Sequence, residues 1–152
     1  MKTIILGIGN PLLGDDGVGI HIIRQLQKTY QHADVYIDEA MTGGMNLLDA
    51  MTGFDRAILV DTIIDKSAAI GDIKQFNLKE CSTVHSCNPH DVSLIEAIEL
   101  AEKLGEKKIP QNIVVFGVVL HQMPMEFTEK LSPEISSVIQ KAISMILSEL
   151  PK

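Results

Sequence analysis

Apolar residues along this chain follow two alternating patterns. Short runs rich in β-branched residues are separated by longer segments in which apolar residues recur every three or four positions. The first pattern is typical of buried strands and the second of one face of a helix. We expect four buried strands and a fifth, more exposed one, named last: KTIILGIG (2–9), ADVYID (33–38), RAILVD (56–61), NIVVFGVVL (112–120) and GDIKQFN (71–77).

Four helices are expected between and after these strands. The third is the best marked, because Asn88 can cap it, Pro89 suits the first helical position and Gly105 suits its end. The other three are predicted over residues 18 to about 30, 45–51 and 132 to about 150.

The order of these elements predicts the fold. Strands that alternate with helices favour parallel pairing, with the helices packed on both faces of the sheet. We therefore expect a three-layer α/β/α fold with a five-stranded, mainly parallel twisted sheet. A chain of 152 residues fits one domain, residues 1–152.

Composition excludes some classes of partner. A net charge of −7, with four Phe, two Tyr and no Trp, offers no basic or stacking surface for nucleic acid. The longest apolar runs, such as IVVFGVVL, are shorter than the ~20 residues of a membrane span, and the N-terminus leads directly into a strand. We expect no membrane partner and a cytoplasmic protein. Two cysteines do not indicate a disulfide scaffold.

The stretch ILGIGNPLLGDDGVG has the glycines of a phosphate-binding turn but not its other residues. A dinucleotide turn requires a third glycine where this chain has Leu12, and a P-loop requires a basic residue that the stretch lacks. Asp15 and Asp16 would also repel an anion. The turn therefore favours a cation. Alternatively, Asp15 or Asp16 only caps the first helix, and the glycines supply turns and close packing: Gly14, Gly17 and Gly19.

Polar side chains follow several of the predicted strands. In open α/β sheets, sites form beyond the carboxyl ends of the strands, where successive connections diverge. Asp16, Asp61 and His90 would there supply two carboxylates and an imidazole, which suit nickel, zinc or manganese. Solvated acidic caps are the alternative interpretation. The residues expected to converge at this edge are Asp15, Asp16, Asp38, Glu39, Asp61 and His90.

Four segments carry a resemblance to a known family. GIGNPLLGDDGVG, VDTI, NPHDVSL and GVV, in this order along nearly the whole chain, resemble the NiFe-hydrogenase maturation endopeptidases. The resemblance implies that Asp16, Asp61 and His90 are the catalytic and metal-contacting residues. IDEAMTGG departs from the family's Asp-Gly-Gly-Thr but retains the aspartate. Asp38, Gly43 and Gly44 are accordingly expected to bind the substrate.

The resemblance implies a specific reaction and partner. Such enzymes remove a C-terminal extension from the hydrogenase large-subunit precursor once nickel has been inserted, so the precursor supplies the nickel. Zinc or cadmium could occupy the same ligands in vitro. Since no Ser-His or Cys-His pair is evident, we expect an aspartyl type of endopeptidase chemistry, in which water attacks the peptide and a carboxylate accepts its proton.

Two alternatives use some of the same residues. A nickel carrier or assembly module would need the three ligands but no cleavage. A zinc site could form instead from the segment CSTVHSCNPH, through Cys81, His85, Cys87 and His90. Further segments could line a peptide groove: Met41, Met45, Met51 and HQMPMEF (121–127).

Overall fold

The five expected strands form one sheet in the computed structural model, which describes residues 1–41, 44–78 and 89–152 without the side chains of 44–45 and 89–93. The strand order is β2-β1-β3-β5-β4, and only β4 runs antiparallel to its neighbour. The expected α/β fold is therefore confirmed. The strands are β1 (Thr3–Ile8), β2 (Val35–Ala40), β3 (Arg56–Ile64), β4 (Ile73–Asn77) and β5 (Asn112–Leu120).

The described helices match the expected positions with one exception. They are α1 (Val18–Thr29), α2 (Gly44–Met51), α3 (Pro89–Lys103), α4 (Pro133–Ser136) and α5 (Ile139–Leu147). The expectation of one continuous helix over residues 132 to about 150 is wrong, because Ser137 and Val138 interrupt it between α4 and α5, although both keep right-handed helical backbone angles. At this interruption the Ser137 hydroxyl donates to the carbonyl of Glu134 at 2.8 Å, a local bond that competes with a continuous helix. Asn88, the expected cap of α3, lies outside the described residues.

Two apolar cores fill the space between the sheet and the helices. Successive side chains of a strand point to opposite faces. On β3, Ala57 and Leu59 pack with α2 and α3, whereas Ile58 and Val60 pack with α1 and α5. The sheet is thus covered on both faces, which explains why its inner strands are continuously apolar.

The connections diverge at the carboxyl end of β1. From β1 the chain crosses one face through α1 to β2, and from β2 it crosses the other face through α2 to β3. The pairing of β1 with β3 ends at Gly7 and Val60, whereas β3 continues to Ile64. A crevice at such a point is the usual position of a ligand in open α/β sheets.

Among the described residues, no helix is both long enough and apolar enough to cross a membrane.

Candidate active site

The loop after β1 folds tightly against the start of α1. Gly9 has a φ of 141°, and a Cβ there would lie 2.1 Å from the carbonyl oxygen of Asp16. The Leu12 amide donates to the side-chain oxygen of Asn10 at 2.9 Å. The Leu13 amide donates to the backbone carbonyl of Asn10 at 3.0 Å. Glycine at position 9 therefore permits the close approach that brings Asp16 over the sheet edge.

Asp16 is buried in this loop, with 7% of its surface exposed. Its Oδ2 accepts a hydrogen bond from the Asn10 amide at 2.9 Å. Its Oδ1 accepts a longer one, of 3.4 Å, from the hydroxyl of Thr62 on β3. Because the loop holds one oxygen and the strand contacts the other, the carboxylate is oriented by both.

Asp61 lies beside that threonine and is 2% exposed. Its Oδ1 accepts a hydrogen bond from the Thr62 amide at 2.7 Å. Thr62 thus contacts both carboxylates, through its hydroxyl and through its backbone. The expectation that Asp61 ends its strand is wrong, since β3 remains paired with β5 as far as Ile64 and Leu120. Asp61 still lies beyond the last residue of β3 that pairs with β1.

His90 is the second residue of α3, and its side chain lies outside the described residues. The last turns of α2 and α3 lie side by side, where Leu48 and Thr52 line the same groove as Ala101 and Leu104. The two helices also lead into β3 and β5, which are parallel, so both helices end toward the amino ends of these strands. Since α2 follows the carboxyl end of β2, the first turn of α3 also lies toward that edge of the sheet.

The described residues contain no group of three His, Cys, Asp or Glu that could hold a metal ion. The third predicted ligand, His90, has no described side chain, so the three-ligand set of Asp16, Asp61 and His90 stays a prediction. The segment that carries Cys81, His85 and Cys87 lies outside the described residues, as does Gly43. Gly44 is the first residue of α2.

Asp15 does not cap α1, which corrects one of the two expected roles for this pair of aspartates. The N-cap position of α1 is Gly17, with no side-chain hydrogen bond, because a 3₁₀ turn over Gly14–Gly17 precedes the helix. Asp15 instead accepts two bonds from Ser132, from its amide at 2.7 Å and from its hydroxyl at 2.9 Å. These bonds fasten the loop to the segment that leads into α4.

The acidic residues of β2 do not all point toward Asp16 and Asp61. Asp38 is exposed, and its Oδ1 accepts a hydrogen bond from the Glu39 amide at 2.8 Å. Glu39 forms a bidentate ion pair with Arg24 of α1, at 2.8 and 3.0 Å. The hydrogen bond to Glu39 raises the pKa of the Arg24 guanidinium. The expected convergence is therefore wrong for Glu39, while substrate binding by Asp38 stays a prediction.

The methionines expected around a groove fall into different environments. Met51 is fully buried in the core between the sheet and α2, whereas Met41 is exposed. The groove hypothesis is therefore wrong for Met51. Met123, Met125 and Phe127 of the HQMPMEF segment are exposed large apolar residues.

Sequence reasoning missed the two residues that organise the aspartates, Thr62 and Ser132. Thr62 follows Asp61 in the VDTI segment, so a polar side chain beside a buried carboxylate was the available signal. Ser132 gives no such signal, because it lies 117 positions from Asp15.

Comparison with known proteins identifies the family. The family model for hydrogenase maturation protease matches residues 20–149. The chain is 28% identical to the hydrogenase 2 maturation protease of Escherichia coli, over 99% of this chain and 91% of that protein. It is 30% identical to a putative hydrogenase maturation protease of Methanocaldococcus jannaschii, over 98% of this chain and 96% of that protein.

A solved structure agrees with this relationship. The hydrogenase maturating endopeptidase HybD from E. coli superposes with a TM-score of 0.83 at 28% identity, covering 99% of this chain and 92% of that one. The likeness thus extends over sequence and fold together, and the chain belongs to the hydrogenase maturation protease family.

Proposed function

We propose that this protein removes the C-terminal extension of a NiFe-hydrogenase large-subunit precursor after nickel insertion, and that it recognises the nickel bound in that precursor. The observation that carries the proposal is the pair of buried carboxylates, Asp16 and Asp61, joined through Thr62 where β1 and β3 diverge. Membership of the maturation protease family supports the proteolytic role.

The donor chemistry fits a divalent cation brought by the substrate. Carboxylate oxygens have two lone pairs each, so an oxygen that accepts one hydrogen bond retains capacity for a metal. Two carboxylates and an imidazole suit a borderline ion such as nickel, and an incoming cation offsets the cost of burying two negative charges. Asp16, Asp61 and His90 would be the ligands offered to the precursor's nickel.

The same carboxylates can carry the proton transfers of peptide hydrolysis. One carboxylate accepts a proton as the oxygen of a water attacks the scissile carbonyl carbon, and the C–N bond then breaks as the leaving nitrogen takes up a proton. Thr62 positions both groups, since its hydroxyl contacts Asp16 and its amide contacts Asp61. The bonds from Asn10 and Thr62 keep Asp16 oriented before the substrate arrives.

Processing of a purified precursor by single variants tests the proposal. We expect Asp16→Asn, Asp61→Asn and His90→Ala each to slow removal of the tail by at least ~100-fold, because each removes a ligand or a proton acceptor. Asp34→Asn is the matched control. Asp34 is an exposed aspartate that precedes β2, so it lies at the amino end of this strand, away from the carboxyl ends that carry the site. Intact mass spectrometry of nickel-loaded precursor measures the rate, at equal concentrations of folded protein.

The same assay with nickel-free precursor tests recognition of the metal. We expect cleavage of the loaded form alone. Equal cleavage of both forms would show that nickel is not the recognition element. A precursor that binds the wild-type protein but keeps its tail would instead favour the carrier or assembly role, and a near wild-type rate for His90→Ala would remove that residue from the ligand set.

A further inference from the structure

An exposed apolar surface lies beside the loop that carries Asp16. Leu12, Met125 and Phe127, the docking patch, expose 51%, 94% and 85% of their surfaces. Burying large apolar side chains is favourable, so several of them together on a surface mark an interaction site more often than a single one does. Met125 also lines a groove of about 370 Å³ together with Gly14 and Asp15.

Backbone hydrogen bonds fasten the docking patch to the loop. The Thr128 amide donates to the carbonyl of Leu12 at 2.9 Å, and the Gly14 amide donates to the carbonyl of Thr128 at 2.8 Å. Phe127 immediately precedes this threonine. The docking patch and the loop of Asp16 therefore form one connected structure.

The distance between Asp16 and the docking patch is short on the scale of a protein interface. An interface of ordinary size covers about 800 Å² on each partner, equivalent to a disc with a radius of about 16 Å. Leu12 is four residues from Asp16, which keeps the two Cα atoms within roughly 14 Å of each other. An interface of ordinary size centred near Asp16 therefore reaches Leu12, to which Thr128 is hydrogen-bonded.

We propose that the docking patch binds an apolar segment of the hydrogenase precursor, flanked by basic residues, while the precursor's nickel contacts Asp16. Methionine adapts to irregular apolar partners, and aromatic side chains are frequent anchors of interfaces. Exposed Glu126 and Glu129 lie on either side of Phe127 and outnumber the exposed Lys130 that follows them. Since the chain also has a net charge of −7, basic groups on the partner are favoured over acidic ones. This inference rests on the proposed function, because it assigns the patch to the same substrate.

Precursor binding and precursor cleavage are measured separately to test the role of the docking patch. The double variant Met125→Ala/Phe127→Ala should raise the Kd for nickel-loaded precursor by about tenfold or more, since it truncates two anchors. Its KM should rise with kcat nearly unchanged, because the reacting groups are intact. The matched control is Leu100→Ala/Leu104→Ala, which truncates two exposed leucines near the end of α3.

A charge variant tests the flanking residues. Glu126→Lys should weaken binding at low salt, and the difference from wild type should shrink as salt screens the charges. Biolayer interferometry in an Asp61→Asn background gives Kd without turnover, and light scattering gives the oligomeric state of each protein. Weaker binding by the Met125→Ala/Phe127→Ala variant, with the Leu100→Ala/Leu104→Ala control unchanged, supports the proposal.

The remaining outcomes separate this inference from the proposed function. If the wild-type protein cleaves the precursor and the docking-patch variant matches its Kd and KM, the docking patch is wrong and the function stands. If the wild-type protein binds the precursor but does not cleave it, the proposed proteolytic function is wrong. The Kd of the docking-patch variant then still decides whether the patch binds the precursor. A wild-type dimer that the variant converts to a monomer, without change in precursor binding, assigns the patch to a second copy of this chain and overturns the inference. Absence of any precursor binding overturns both.

Discussion

At the scale of single residues, short polar contacts decide how each aspartate of the first loop is used. Asp16 faces Thr62 and the Asn10 amide, whereas its neighbour Asp15 faces Ser132. Adjacent residues of the same type therefore have different surroundings. We propose Asp16 as a substrate contact, whereas Asp15 anchors the loop through Ser132.

The Asp15–Ser132 contact predicts a measurable coupling. Ser132→Ala should lower the free energy of unfolding by about 1–2 kcal/mol, because it removes the hydroxyl bond to the carboxylate and leaves the amide bond. Asp15→Ala should lower it by at least as much, because it removes both bonds. The double variant should lose less than the sum of the two, since both single changes already remove the hydroxyl bond. Urea denaturation measures these values.

Processing activity separates anchoring from catalysis. We expect Asp15→Ala to retain most of its processing rate at equal folded concentration, in contrast to Asp16→Asn. Ser144→Ala, at an exposed position of α5, is the control and should change stability by less than ~0.5 kcal/mol. Strict additivity of Asp15→Ala and Ser132→Ala would contradict the coupling.

At the scale of elements, close packing of α1 against β1 and β3 sets the position of the site. A Cβ on Gly19 would lie 2.4 Å from the carbonyl oxygen of Val60 and 2.7 Å from that of Ile8. The first turn of α1 therefore rests directly on the backbones of both strands. Because Asp16 precedes this turn by two residues, the helix position also sets the position of its carboxylate.

Gly19→Ala tests this packing. Alanine favours a helix over glycine by roughly 1 kcal/mol, but the collision with two backbone oxygens should cost about 1–3 kcal/mol in overpacking strain. We expect net destabilisation in urea together with slower processing, because α1 must move away from the sheet.

Gly53→Ala is the control for strain without a collision. Gly53 has a φ of 94°, and a Cβ there would have no atom within 4 Å. Its loss of stability should be about 1 kcal/mol, with the processing rate unchanged. A Gly19→Ala protein as stable as wild type would show that the helix relaxes without cost.

At the scale of the whole molecule, the sheet joins two cores and brings distant segments to one edge. The connection between β3 and β4 closes at the buried Asp65, whose carboxylate accepts hydrogen bonds from Lys74 and Ser67. The bond from Lys74, followed by those from Ser67, lowers the pKa of Asp65 to about 2.

This lowered pKa predicts a contribution to acid stability. The unfolded carboxyl titrates near ~3.9, so the unfolded state binds more protons between about pH 4 and pH 2. The contribution of Asp65 is therefore complete above about pH 5 and is lost as pH falls through that window. Asp65→Asn should be less stable than wild type at pH 7, and the difference should narrow toward pH 3 in urea denaturation. A difference that is constant with pH would contradict this assignment.

The sequence by itself determined the alternating strands and helices, the mainly parallel sheet and the family. These follow from patterns that are local: apolar periodicity, the glycine-rich turn and the short segments around Asp16 and Asp61. The ligand role of His90 was also predicted from such a segment, and it stays a prediction.

Only the tertiary structure decided how the acidic residues are divided. The partner of Asp15 lies 117 positions away, Thr62 joins two aspartates from separate segments, and Glu39 pairs with Arg24 on the neighbouring helix. The length of β3 likewise depends on pairing with β5. Contacts of this kind arise from packing between elements, and the local order of residues does not specify them because it holds no information on which distant atoms meet.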